Sequence, residues 1–250
     1  MLEFIQALHW GAIFQIILID ILLGGDNAVV IALACRNLEH RQRMQGIIWG
    51  TAGAIILRVV LIAFALTLLN LPFLKLVGGA LLIWIGVKLL VPETEGHGNV
   101  GGGATLWSAV KTIIIADFVM SLDNVIAIAA AANNTHVDHQ MYYVIFGLVV
   151  SVPIIVWGST LVLKLIDRFP AVIMFGAGLL GWIAGGMLIG DVAVLALLQQ
   201  NLGDAWVQVS SAGMLRAATP VHYWASALGA LLVIGAGRVL SARAGSKGKE

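Results

Sequence analysis

Apolar positions in this chain come in long blocks, not in the alternation of a strand or the narrow stripe of a soluble helix. A helix needs about 20 predominantly apolar residues to cross a bilayer. On that measure the pattern predicts spans near 8–34, 47–69, 72–91, 106–131, 141–165, 170–198 and 221–240. Seven such spans use nearly every residue, so the expected fold is an all-α polytopic membrane protein forming a single integral domain. The start of the chain has neither a basic leader nor a small-residue cleavage site, and the first span is read as a retained helix.

Composition agrees with that class. Apolar residues make up 60% of the chain and charged ones only 11%, with a mean hydropathy of +0.98, well outside the soluble range. The net charge of +1 gives no reason to invoke nucleic acid. A single cysteine, Cys35, excludes a disulfide framework and a cysteine-based metal cluster.

The basic residues are unevenly placed. Arg36, Arg41 and Arg43 follow the first span, Lys88 and Lys111 flank the third connection, and Lys164 and Arg168 flank the fifth. Arg238, Arg243, Lys247 and Lys249 crowd the C-terminus, whereas the other connections receive only Lys75 and Arg216. The positive-inside rule makes the basic side cytoplasmic, with the N-terminus outside and the C-terminus inside. Most of the eight tryptophans fall near span ends, as interfacial anchors do.

Within the first span, "IDILLGGDN" places Asp20, Asp26 and Asn27 among apolar neighbours. An ionisable group at membrane depth is costly and by default functional. The arrangement recurs as "ADFVMSLDN": Asp20 matches Asp117, Asp26 matches Asp123 and Asn27 matches Asn124 at one constant spacing. Further on, "LPFLKLVGGALLIWIG" parallels "FPAVIMFGAGLLGWIA". We read an internal duplication, with repeat 1 over about 8–91 and repeat 2 over about 105–198. A Gly-rich linker over about 92–104 joins them, an extra helix spans about 221–240, and a basic tail covers 241–250. Three crossings per repeat turn the second copy upside down, the inverted plan of many secondary transporters.

Positions i, i+4 and i+7 share one helical face. Asp20, Gly24 and Asn27 form that stripe in the first span, and Asp117, Ser121 and Asn124 form it in the fourth. Asp26 and Asp123 lie off the stripes, and an unwinding at Gly24–Gly25 is expected to swing Asp26 inward. Four carboxylates and two carboxamides offer only hard oxygen ligands, which suit Mg²⁺, Ca²⁺ or Mn²⁺ better than Zn²⁺ or Cu⁺. A divalent ion leaves an excess of negative charge if all four aspartates are ionised, which invites exchange of metal against protons. Arg58, in the second span, is placed to offset part of that excess or to form a structural ion pair.

Other features read as structural. His136, Asp138 and His139 are a solvated loop, and Asp191 marks a span end. "GHGNVGGG" lacks the Lys–Ser/Thr of a phosphate loop. Gly78, Gly79, Gly176 and Gly178 are read as sites of close helix packing.

The paired "GGDNAVVIA" and "SLDNVIAIA" segments resemble the TerC family of integral membrane proteins over about residues 8–198. The resemblance implies seven helices in the bacterial inner membrane, kinship with LysE-like transporters, and an ion site at Asp20, Asp26, Asn27, Asp117, Asp123 and Asn124. It also implies manganese export, a role in which several members are implicated. The family takes its name from tellurium resistance, and an acidic site that repels oxyanions would act there only indirectly. Gly24–Gly25 against Ser121–Leu122 breaks the symmetry, so the half-sites need not be equivalent.

The expected activity is therefore transport of a divalent ion as cargo, with no resident cofactor and no enzyme chemistry. Two other activities use similar residues. An intramembrane aspartyl protease carries Gly-x-Gly-Asp, but Leu23–Gly24–Gly25–Asp26 lacks the first glycine and no Pro-Ala-Leu follows. An adaptor at the secretion machinery, handing metal to emerging proteins, is compatible with transport.

Overall fold

The computed structural model describes residues 14, 17–18, 20, 25–64, 71–91, 105–133, 140–209 and 215–247, with side chains except at 63, 123–133, 140–144, 204 and 244–247. Eight α-helices account for nearly all of it: α1 (Gly25–Cys35), α2 (His40–Ala63), α3 (Leu74–Leu90), α4 (Leu106–Asn133), α5 (Gln140–Arg168), α6 (Ala171–Ile189), α7 (Val192–Leu202) and α8 (Thr219–Lys247). Phe14, Ile17, Leu18 and Asp20, upstream of α1, are also helical. A short antiparallel pair, β1 (Val207–Val209) on β2 (Leu215–Ala217), precedes α8.

Among the described residues, four stretches are long and apolar enough to cross a membrane: His40–Ile62, Ile145–Arg168, Ala171–Ile189 and Thr219–Arg243. Their outward surfaces are apolar, with Trp157, Trp224 and Phe175 all exposed. In water such a surface would aggregate; in a bilayer it is the solvated face.

The helices differ from the expected spans mainly at their ends. α2 begins at His40 and not near 47, and α8 continues through "SARAGSK" to Lys247, where a tail after residue 240 was expected. Hydropathy marks the apolar stretch, whereas backbone hydrogen bonding carries a helix on through Arg, Gln and Ala, all good helix formers. The expected span 170–198 is broken: α6 stops at Ile189 and the short α7 follows.

Asp191 explains that break. Its buried carboxylate caps α7 by accepting from the Ala193 N–H (2.9 Å). It also accepts from the Phe73 N–H (3.0 Å) and the Leu76 N–H (3.2 Å), at the start of α3. One carboxylate thus serves two helix N-termini, whose free N–H groups attract negative charge. It also holds Phe73 in a left-handed conformation (φ 66°), unfavourable for a bulky residue. Asp191→Ala strands three donors and is expected to cost roughly 2 kcal/mol or more. Asp191→Asn, which keeps an acceptor, should recover much of that in thermal unfolding of the detergent-purified protein.

Helix packing follows the small residues. α6 and α8 lie closest, where a side chain added at Gly185 would strike the Ala225 carbonyl and one at Gly229 the Gly181 carbonyl. Gly79 similarly faces the Ala184 carbonyl, Gly78 faces Val119, Gly176 faces Leu33 and Val29, and Gly178 faces Ile234. All four glycines singled out in the sequence are therefore close-packing sites. Lipid tails leave no hydrophobic drive between helices, so such close approach supplies the association.

α2 packs on α4, α1 on α5, α3 on α6, and α1 on α4. Polar contacts bring one set of helix ends together. Arg43 pairs with Asp167 (2.9 Å) and donates to the Arg36 carbonyl (2.8 Å), joining the α1–α2 connection to the end of α5. The Ser241 hydroxyl reaches the Leu90 carbonyl (3.0 Å), joining the ends of α3 and α8. Arg238 reaches the Met174 sulfur (3.2 Å), bringing in the start of α6. This end carries Arg41, Arg43, Lys88, Arg168, Arg238 and Arg243.

The linker 92–104 and the loop residues His136, Asp138 and His139 lie outside the described residues.

Candidate ion site

The centre of the helix bundle contains a charged cluster. Arg58 comes from α2, where Ile55–Ile56–Leu57 precede it and Val59–Val60 follow. Its side chain is only 2% exposed. The guanidinium spans two aspartates from different elements: Nη1 donates to Asp20 Oδ1 and Nη2 to Asp117 Oδ1 on α4. Nε donates to the Ser121 hydroxyl (3.1 Å), one helical turn beyond Asp117.

The two carboxylates are dressed alike. Each has one oxygen on Arg58 and the other on a serine hydroxyl. Ser121 donates to Asp117 Oδ2 (3.2 Å), and Ser151, on α5, reaches Asp20 Oδ2. Ser151 also lies 2.8 Å from the Leu148 carbonyl, so its single proton is shared between two acceptors. The i, i+4 spacing places Asp117 and Ser121 on one face of α4. Three charges buried together pay a large desolvation cost, so such a group is weak evidence for stability and stronger evidence for function.

Asp26 and Asn27 open α1. Asp26 is partly buried and within electrostatic reach of both Asp117 and Arg58. Its Oδ1 accepts from the Asn27 N–H (2.9 Å). Asn27 is buried, and neither carboxamide atom has a hydrogen-bond partner among the described residues. Leaving a buried carboxamide unpaired costs free energy on the order of a kcal/mol or more. Gly25 is helical and open to its surroundings, while Gly24, the other half of the expected unwinding, lies outside the described residues.

Of the sequence-assigned residues, the structure brings together Asp20, Arg58, Asp117 and Ser121 by direct contact, with Asp26 close by. Asp123 and Asn124 continue α4 beyond Ser121, but their side chains lie outside the described residues. Among the described residues no three His, Cys, Asp or Glu side chains converge as a ready metal cage. Arg58 occupies the space between Asp20 and Asp117. Ser151 was not anticipated. A serine in a membrane helix ordinarily bonds its own backbone, as Ser159 and Thr160 do at 2.8 and 2.9 Å, so nothing local distinguishes it.

Comparison with known proteins bears on this arrangement. Residues 5–242 match the sequence model of the Integral membrane protein TerC family. The chain is 42% identical over 190 residues to a Bacillus subtilis (strain 168) protein described as Uncharacterized membrane protein YjbE, covering 76% of this chain and 84% of that one. It is 26% identical over 170 residues to Uncharacterized membrane protein YceF of the same organism, covering 64% of each. It is also 27% identical over 203 residues to UPF0053 inner membrane protein YgdQ of Escherichia coli (strain K12), covering 74% of this chain and 81% of that one. No solved structure matches the chain. With its membrane-length helices and a match over almost its whole length, the chain belongs to the TerC family of integral membrane proteins.

Proposed function

We propose that the protein carries divalent metal ions, Mn²⁺ above all, out of the cell across the bacterial inner membrane in exchange for protons. The ligands are Asp20, Asp26 and Asn27 from one repeat and Asp117, Asp123 and Asn124 from the other. The observation that carries this reading is the convergence of Asp20 and Asp117, equivalent by sequence, on one buried centre. The Asn27 carboxamide, next to Asp26 in sequence and buried without a hydrogen-bond partner among the described residues, offers a further oxygen ligand.

The inverted-repeat plan has support in the packing. Exchanging the first three spans with the second three turns the α2–α4 contact into α5–α1, and the α3–α4 contact into α6–α1; all four occur. The gathering of basic residues at one end supports a cytoplasmic assignment for that end. The inner-membrane location is carried over from the printed name of the Escherichia coli relative.

A protease reading gains nothing from this geometry. An aspartic dyad works by sharing a proton between adjacent carboxylates, whereas Asp26, the aspartate of the protease-like motif, accepts its hydrogen bond from the Asn27 N–H.

Oxygen-only ligands give a selectivity expectation. In sealed vesicles containing the purified protein, Mn²⁺ should move faster than Zn²⁺ or Cu⁺ at equal concentration. Flux that is fastest for Zn²⁺ overturns the ligand assignment.

A further inference from the structure

We propose that Arg58 is a resident counter-cation that competes with the transported ion for Asp20 and Asp117, and so restricts the site to divalent over monovalent cations. This rests on the cation-carrying reading above.

Arg58 is the one buried basic side chain among the described residues. Its three donor nitrogens go to Asp20, Asp117 and Ser121. A rigid planar fork, with donors aimed in fixed directions at two carboxylates and a hydroxyl, is a geometry that guanidinium offers and a compact ammonium does not. With both carboxyls ionised, the three charged side chains in direct contact carry two negative charges and one positive. At the repeat spacing the counterpart of Arg58 is Ile155 or Val156, so no second arginine completes the neutralisation.

That imbalance sets the selectivity. A monovalent ion displacing the guanidinium replaces one positive charge by another and forfeits the charge-assisted hydrogen bonds, so it gains nothing. A divalent ion brings the second positive charge that the two carboxylates lack, and in a buried site that extra attraction is large. Lithium, sodium and potassium are thus rejected by competition and not by the size of the cavity. Release of Arg58 also unties Asp20 from α4, because the guanidinium is the bridge between them.

The test uses the full-length protein purified in detergent, with thermal unfolding followed during titration with MnCl₂ or NaCl at constant ionic strength. The unaltered protein should be stabilised saturably by Mn²⁺ and not specifically by Na⁺. Arg58→Gln should bind Mn²⁺ about tenfold more tightly or better and acquire a saturable response to Na⁺. Arg58→Lys, which keeps the charge but loses the planar fork, should fall between the two. An unaltered Mn²⁺ affinity in both variants, with no response to Na⁺, overturns the competition while leaving ion carriage intact. An unaltered protein that ignores every divalent ion overturns both proposals. Should Arg58→Gln not fold, Arg58→Lys decides in the same way. A second decisive readout is the Arg58 Nε–H resonance in the unaltered protein, which should shift on saturation with Ca²⁺. A resonance that stays in place while Ca²⁺ binds contradicts displacement.

Discussion

Asp26→Asn and Asp123→Asn, made singly, are expected to reduce pH-gradient-driven Mn²⁺ flux to the level of protein-free vesicles while leaving the protein folded. Asparagine has nearly the same size and retains one oxygen ligand, but it cannot exchange a proton. Asp26 lies in the first turn of α1 and is partly buried, so losing its charge strands no buried partner; its hydrogen bond goes to the Asn27 N–H, which a carboxamide oxygen also accepts. Either single variant should fail, because removing one titratable charge changes how many protons a bound divalent ion displaces. Asn27→Ala removes a neutral ligand and should weaken apparent affinity with coupling retained. Normal flux that follows the pH gradient in both Asp→Asn variants contradicts the assignment of these residues.

Arg58→Met should have the largest effect on stability. It leaves Asp20 and Asp117 buried with only serine donors, and breaking a buried ion pair by removing one partner costs about 3–5 kcal/mol. Measured with a chelator present, the unfolding midpoint should fall sharply. The triple variant Asp20→Asn, Arg58→Met, Asp117→Asn removes all three charges and should regain most of that loss, since a neutral replacement of a buried ion cluster is often no worse than the original. It should carry no Mn²⁺. Recovery of folding without recovery of flux separates a functional cluster from a merely structural one; a triple variant that transports normally makes the cluster structural.

Much of the fold was legible because membrane helices must satisfy their backbone internally and present apolar side chains outward. That constraint writes itself into long apolar blocks, and α2 to α6 and α8 appear where such blocks lie. The helix ends were less legible, since "HRQRMQG" and "SARAGSK" are polar yet helical. The break after Ile189 was signalled by one residue, Asp191, although its reach to the start of α3 was not. At the centre, the i, i+4, i+7 stripe marked Asp117 with Ser121. Arg58 stood out as a charge in a span. That it serves both aspartates at once depends on how α2 meets the first span and α4, which no local pattern encodes. Ser151 was invisible for the same reason.

Exchange of divalent metal for protons should require no protein besides this one, which a reconstituted flux measurement tests. Purified protein is sealed into vesicles, Mn²⁺ is enclosed, and the outside is made acidic or alkaline relative to the lumen. Mn²⁺ efflux should be accelerated by an acidic exterior, accompanied by proton uptake, and reversed in direction when Mn²⁺ is outside and the lumen is acidic. Mn²⁺ movement no faster than in protein-free vesicles under either gradient would contradict it.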